Sequence, residues 1–293
     1  MTLQAVALVL LSALLHPIRD LLLKGHQRPE AAYIAVTAGW VVIAAVHALV
    51  SGAGLILPRE FLLLAVASAA CLTAYYFGTM AALKSGDLSI YYPIIRSSPL
   101  LIVGVTWAFW GTQYEPAVLA GIVLIIIAGF ALQRQPGRIL GQPRTTLLAF
   151  VAMAGSAGYT MADAGAMHGG DVSPATFLFW VYLMVTPAFA LVAWLFKPAS
   201  LTHSDYLVGG WRISPLRLIA ASAVSYLSYL LILTAFTIGA GAAETAAVRQ
   251  ASIPVSVVLA VIVLGESRLL HRLGWASVIA AGIVLIALGN KVL

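Results

Sequence analysis

Ten long apolar runs separated by short polar breaks leave this chain few ways to fold. They lie at Leu3–Leu23, Ala31–Val50, Phe61–Leu83, Leu88–Trp110, Ala117–Leu132, Thr146–Met167, Pro174–Phe196, Leu218–Ile238, Ala242–Leu264 and Leu273–Leu288. A helix crossing a hydrocarbon core of about 30 Å needs about 20 such residues, with every backbone N–H and C=O paired inside the segment. None of the runs alternates with the period of two that a barrel strand requires, so the expected fold is all-α. The breaks carry helix-ending punctuation, as in Pro58-Arg59-Glu60, Lys84-Ser85-Gly86-Asp87 and Gly239-Ala240-Gly241. Ten spans in 293 residues predict a polytopic membrane protein, and the longest connections, Gln133–Thr145 and Lys197–Arg217, leave no room for a soluble catalytic domain.

Composition narrows the function classes. The chain is 62% hydrophobic and 9% charged, against about 45–50% and about 25% for soluble domains. A soluble globule, a disordered chain, a disulfide-stapled secreted domain and a nucleic-acid binder are excluded. The net charge of +6 comes from Lys and Arg placed mostly between the runs, as topology signals facing anionic lipid. Lone Cys71 sits inside a run and reads as packing. The first run lacks a basic leader and a small-residue cleavage pattern, so it is expected to be a retained helix.

Self-comparison divides the chain. Gly86–Pro99 and Gly241–Pro254 each open a span after a glycine and reach Ser-x-Pro at the same offset, at Ser97/Pro99 and Ser252/Pro254. The hexapeptide Ala120–Ile125 recurs at Ala281–Ile286. Two five-span units follow, residues 1–133 and 146–293, joined by a linker at 134–145. Because five is odd, the second unit enters the membrane from the opposite side, making an inverted repeat. Such repeats place a substrate site near the midplane and open it alternately to the two sides.

Leu264-Gly265-Glu266 after the ninth span, a glycine-rich tenth span, Ala82-Leu83 ending the third and the Ser-Pro signals of the fourth and ninth resemble the drug/metabolite transporter superfamily. Within it, the chain is similar to the ten-helix EamA-type exporters over nearly its whole length. The first repeat departs from the pattern, carrying Gly111-Thr112-Gln113-Tyr114-Glu115 where the second has Gly265-Glu266. The resemblance implies export of small organic metabolites, with amino acids, aromatic ones included, as the first choice.

Charged residues inside the runs nominate a site, because an intramembrane charge costs about 2.5–3.5 kcal/mol on insertion scales. Arg96 and Arg249 lie roughly 11–12 Å into the fourth and ninth spans at about 1.5 Å per residue. Entering from opposite faces, both reach the middle of the bilayer, and a guanidinium suits a carboxylate or phosphate. The alternative is internal neutralisation, for example of Arg249 by Glu244, or snorkelling. Around Arg96 the fourth span is polar and aromatic, with Tyr91, Tyr92, Ser97 and Pro99. Its prolines free carbonyls that a neighbour or water must satisfy.

Ser252 and Pro254 repeat the pattern in the ninth span, while His16 in the first and Tyr159 in the sixth are further candidates. Asp163 reads as a proton-coupling carboxylate or as a hydrated residue near the span end. Glu244 reads as a coupling group or as a helix-terminal carboxylate complementing the dipole. Arg19 and Asp20 read as an interfacial pair. Tyr75, Tyr76, Tyr226 and Tyr229 occupy equivalent spans, three and eight, where they either line a wet cavity or pack the core. Trp40, Trp107, Trp110, Trp194, Trp211 and Trp275 are expected in the interfacial belts.

Eleven Lys and Arg (Lys24, Arg28, Lys84, Arg134, Arg138, Arg144, Lys197, Arg212, Arg217, Arg268 and Arg272) fall in odd-numbered loops, against Arg59 and Lys291 elsewhere outside the spans. This places odd loops in the cytoplasm of a bacterial-type inner membrane and both termini outside. No metal-ligand spacing, phosphate loop or Ser-His-Asp set is present, so neither a cofactor nor an enzymatic activity is expected. The reading is a secondary transporter whose partners are the bilayer and a small-molecule substrate, with no nucleic acid, and nothing in it requires more than a monomer. Another anionic metabolite, or a cationic drug held by Asp163 or Glu244, is the rival substrate class; an intramembrane enzyme or a channel ranks below both.

Overall fold

The computed structural model describes residues 1–23, 29–84, 94–133, 143–195, 214–255 and 269–289. Among these, every regular element is helical: α1 (Leu3–Leu23), α2 (Pro29–Val50), α3 (Arg59–Lys84), α4 (Ser98–Trp110), α5 (Pro116–Gln133), α6 (Pro143–His168), α7 (Pro174–Leu195), α8 (Pro215–Thr237), α9 (Ala242–Val248) and α10 (Leu269–Gly289). A 3-10 turn at Arg249–Ala251 continues α9. Five helices open on proline, whose missing N–H costs nothing in a first turn. Helix α4 stops at Gly111, which takes the left-handed conformation (φ 63°) and returns its N–H to Trp107.

Among the described residues, six helices, α1, α2, α3, α6, α7 and α8, are long and apolar enough to cross a membrane. Ser98–Trp110, Pro116–Ala131 and Gly274–Gly289 are apolar but shorter. The fourth and ninth runs, read in sequence as unbroken spans, are interrupted. In the fourth, Ile94–Arg96 is helical, Ser97 turns, and α4 restarts with Pro99 in its first turn. In the ninth, the 3-10 turn begins at Arg249. The outward surface explains the hydropathy, since Val50, Leu63, Phe109 and Leu216 are 77–83% exposed. Apolar surface on this scale calls for lipid around it.

The helices pair α1 with α8, α3 with α6, α2 with α7, α4 with α9 and α5 with α10; α2 also packs on α8, and α3 on α7. Small residues allow these approaches. A Cβ at Gly121 would lie 2.5 Å from the Gly282 carbonyl oxygen and 2.8 Å from Ile286 Cγ1. One at Gly282 would lie 2.8 Å from the Gly121 carbonyl oxygen and 2.7 Å from Ile125 Cγ1. The recurring hexapeptides therefore touch each other through the same positions. Gly78, Gly155 and Gly158 do the same work between α3 and α6. Across α1 and α8, Ser12 and Ser228 hydroxyls lie 2.9 Å apart, and Ser228 Oγ donates to the Ser12 carbonyl at 3.0 Å.

Candidate functional site

The centre of the bundle holds the charged and aromatic residues. Asp163 on α6 is 1% exposed, and its two carboxylate oxygens accept from Ser68 Oγ of α3 and Tyr229 Oη of α8, both at 2.5 Å. One turn earlier on α6, Tyr159 accepts from Arg249 Nη1 at 3.1 Å, and the Arg249 guanidinium carbon stands 6.0 Å from the Tyr159 ring centre. The Tyr159 and Tyr229 rings are 6.1 Å apart, so the half-buried cation and the buried carboxylate are joined through two tyrosines.

An aromatic wall continues from there. Tyr229 meets Trp40 at 5.5 Å and Tyr182 at 6.3 Å; Trp40 lies over Tyr182 at 4.0 Å. The Tyr182 hydroxyl reaches the Tyr76 hydroxyl at 2.9 Å, and Tyr226 meets His47 Nδ1 at 2.7 Å. Trp40 corrects one expectation: it is 3% exposed and donates to Ser225 Oγ at 2.7 Å, so it belongs to the core and not to an interfacial belt. Trp107 (64% exposed), Trp110 (67%) and Trp194 (44%) do face outward. Trp211 lies outside the described residues. Trp40→Phe is expected to lower stability in thermal unfolding by about 2 kcal/mol or more, because the indole bond to Ser225 is lost and the smaller ring leaves a void against Tyr182 and Tyr229.

The broken fourth and ninth runs meet at Arg96. Pro99 has no N–H to offer the preceding turn, Leu100 N–H goes to Ser97, and the Arg96 carbonyl accepts from Gln250 Nε2 at 3.0 Å. The Arg96 guanidinium donates to Gln250 Oε1 and Ser252 Oγ, each at 3.4 Å. The void lined by Arg96, Ser97 and Gln250 is about 10 Å³, too small for a metabolite. Thus Arg96 closes the junction between α4 and α9, while Arg249 faces the tyrosines. Pro254 follows the 3-10 turn and is half-buried.

Glu244 folds back over Gly241 at the start of α9, where a side chain at Gly241 would collide with its carboxylate. His16 Nε2 accepts from Arg19 Nη2, one turn on, at 3.0 Å. Tyr91 and Tyr92 lie outside the described residues, as does the side chain of Asp20. Sequence reasoning left out Ser68, Tyr182, Gln250 and His47. Gln250 sits beside Arg249 and could have been found by its depth in an apolar run; the other three carry no local signal.

Two cavities open at opposite ends of the bundle, both walled by α3 and α6. One, of about 480 Å³, lies among the start of α2, the end of α3, the start of α6 and the end of α7. The other, about 650 Å³, reaches Glu115, Glu244 and His168 and has Met161 and Ala164, the neighbours of Asp163, in its wall. At its rim the Tyr114 hydroxyl meets Thr106 Oγ1 at 2.8 Å. Burial pushes the Tyr114 phenol above its ordinary value; the Thr106 bond opposes that rise and the nearby Glu244 carboxylate adds to it.

The fold and its centre thus define an α-helical membrane protein with a buried polar and aromatic cluster between two cavities. No protein-family model and no curated protein matches the chain. A crystallised protein shares its fold over 98% of both chains, with a TM-score of 0.77 and 17% identity.

Proposed function

We propose that the chain is a secondary transporter, working as an exporter of small organic metabolites of the EamA-type drug/metabolite class, with amino acids, aromatic ones included, as substrates. The carrying observation is the Arg249–Tyr159–Tyr229–Asp163 chain, half-buried at Arg249 and buried beyond it, standing between two cavities at opposite ends of the same helices. Buried charge is expensive in such a setting and is kept where a substrate or ion must pass.

The architecture read here is ten membrane helices in two inverted five-helix repeats. The packing supports it. Replacing each helix by the one five places along turns α1·α8 into α6·α3, and α2·α8 into α7·α3, while α2·α7, α4·α9 and α5·α10 map onto themselves. The reciprocal Gly121/Gly282 contact is the form a two-fold relation imposes on its own axis. The interruptions at Ser97 and Arg249 fall in equivalent runs, as in transporters whose discontinuous helices border the site. By Lys and Arg placement the 480 Å³ cavity opens to the cytoplasm of an inner membrane and the 650 Å³ cavity to the outside.

In this mechanism Arg249 receives the substrate carboxylate, trading its bond to Tyr159, while Tyr76, Tyr226 and Trp40 meet the side chain. Arg96 and Gln250 latch the two broken helices together and release as the halves rock. Counterflow in proteoliposomes tests it with labelled phenylalanine, leucine and glutamate. Arg249→Ala is expected to reduce exchange at least about 100-fold, as removal of a buried charge-assisted contact does, and Arg96→Ala to slow it with less change in half-saturation. Absence of exchange with every amino acid, but exchange of a cationic drug abolished by Asp163→Asn, would replace the substrate class.

A further inference from the structure

The cavity at the α2/α7 end carries a charge pattern of its own. Glu30, in the first turn of α2, is 7% exposed and lines it; Arg144, in the first turn of α6, lines it from another wall. The rest of the lining is almost wholly apolar, with Phe77, Met80, Leu148 and Phe189. We infer that this cavity is a binding site for a zwitterionic α-amino acid with an apolar side chain, distinct from the central Arg249 cluster. The inference rests on the amino-acid transport reading and makes the cavity its first station.

The chemistry follows from matching charges. A purely anionic ligand would face Glu30, a purely cationic one Arg144, and an uncharged apolar one would engage neither charge. A zwitterion lets the guanidinium fork take the carboxylate and Glu30 take the ammonium, while Phe77, Met80 and Phe189 cover the side chain. A volume of about 480 Å³ is in the range of small-molecule sites. The cavity also adjoins the central cluster: the Phe189 ring is 5.9 Å from that of Tyr76, whose hydroxyl meets Tyr182 at 2.9 Å.

The test is equilibrium binding of labelled L-leucine and L-phenylalanine to the full chain in nanodiscs, with Glu30→Gln, Arg144→Gln and the cavity-filling Val192→Trp, each checked by thermal unfolding. With the central site silenced by Arg249→Ala in every sample, both charge variants are expected to weaken leucine about 10- to 100-fold, and Val192→Trp to remove binding. N-acetyl-leucine, lacking the ammonium, should bind Glu30→Gln better than the Arg249→Ala parent, and leucinamide, lacking the carboxylate, should bind Arg144→Gln better, because each variant removes the like charge that opposes the analogue. Equal leucine affinity in that parent and both charge variants overturns the site, and so does a folded parent that binds neither amino acid. In both cases counterflow of any organic substrate leaves the transporter reading standing. The expected variant pattern without counterflow of any substrate upholds the site and removes the transporter reading instead.

Discussion

Gly155→Ala is expected to lower the stability of the protein by more than about 2 kcal/mol and to abolish exchange, although it adds a single methyl group. The new Cβ would lie 2.6 Å from the Cys71 carbonyl oxygen and 2.7 Å from the Tyr75 amide nitrogen, both backbone atoms of α3. Backbone cannot swing aside as a side chain does, so α3 and α6 must separate. Gly78 and Gly158 make the same close approach, and Ser68–Asp163 bridges the same two helices, so a displacement at Gly155 also strains the central hydrogen bond. Gly104→Ala is the control, because nothing lies within 4 Å of a Cβ there. It should leave the protein unchanged or stabilise it by up to about 1 kcal/mol, the usual helix preference of alanine over glycine. Thermal unfolding in detergent reads both; equal midpoints for the two variants would refute the close-packed crossing.

The second large effect concerns Asp163. Asp163→Ala strands the Ser68 and Tyr229 hydroxyls in the bundle centre, at about 1–3 kcal/mol for each group left unsatisfied. Asp163→Asn separates shape from charge. The amide oxygen accepts from one hydroxyl and the amide N–H donates to the other, so the fold is kept within about 1 kcal/mol. What the amide cannot do is take up and release a proton. In the proposed transporter, Asp163→Asn should therefore retain counterflow, which needs no driving force, and lose accumulation driven by an imposed proton gradient. Accumulation at the wild-type level in Asp163→Asn would remove Asp163 from coupling and leave it a structural tie between α3, α6 and α8.

These two residues also show where sequence reading reaches its limit. Asp163 stood out because a carboxylate in an apolar run is costly wherever it points, and the same logic found Arg96 and Arg249. Its partner Ser68 did not, since a serine in a membrane helix is ordinary and 95 residues separate the two. Trp40 was misplaced for a related reason: tryptophans favour interfaces on average, and only the rotation of α2 against α8 brings its indole N–H to Ser225. Likewise, Arg96 and Arg249 read in sequence as a matched pair, yet one closes a junction against Gln250 and the other faces Tyr159.

The sequence by itself determined the helical class, the positions of nearly all helices and the recurrence of Ala120–Ile125 at Ala281–Ile286, because these depend on local composition. In lipid each segment must pair its own backbone, so about 20 apolar residues suffice to announce a helix without reference to any other. Only the tertiary structure decided that the two hexapeptides meet at Gly121 and Gly282, that the fourth and ninth runs break where Gln250 caps the Arg96 carbonyl, and that Asp163 is held from two other helices. Those outcomes follow from how each helix is rotated about its axis and which neighbour it faces. With apolar side chains indifferent between lipid and one another, close packing and a few buried polar bonds set that choice.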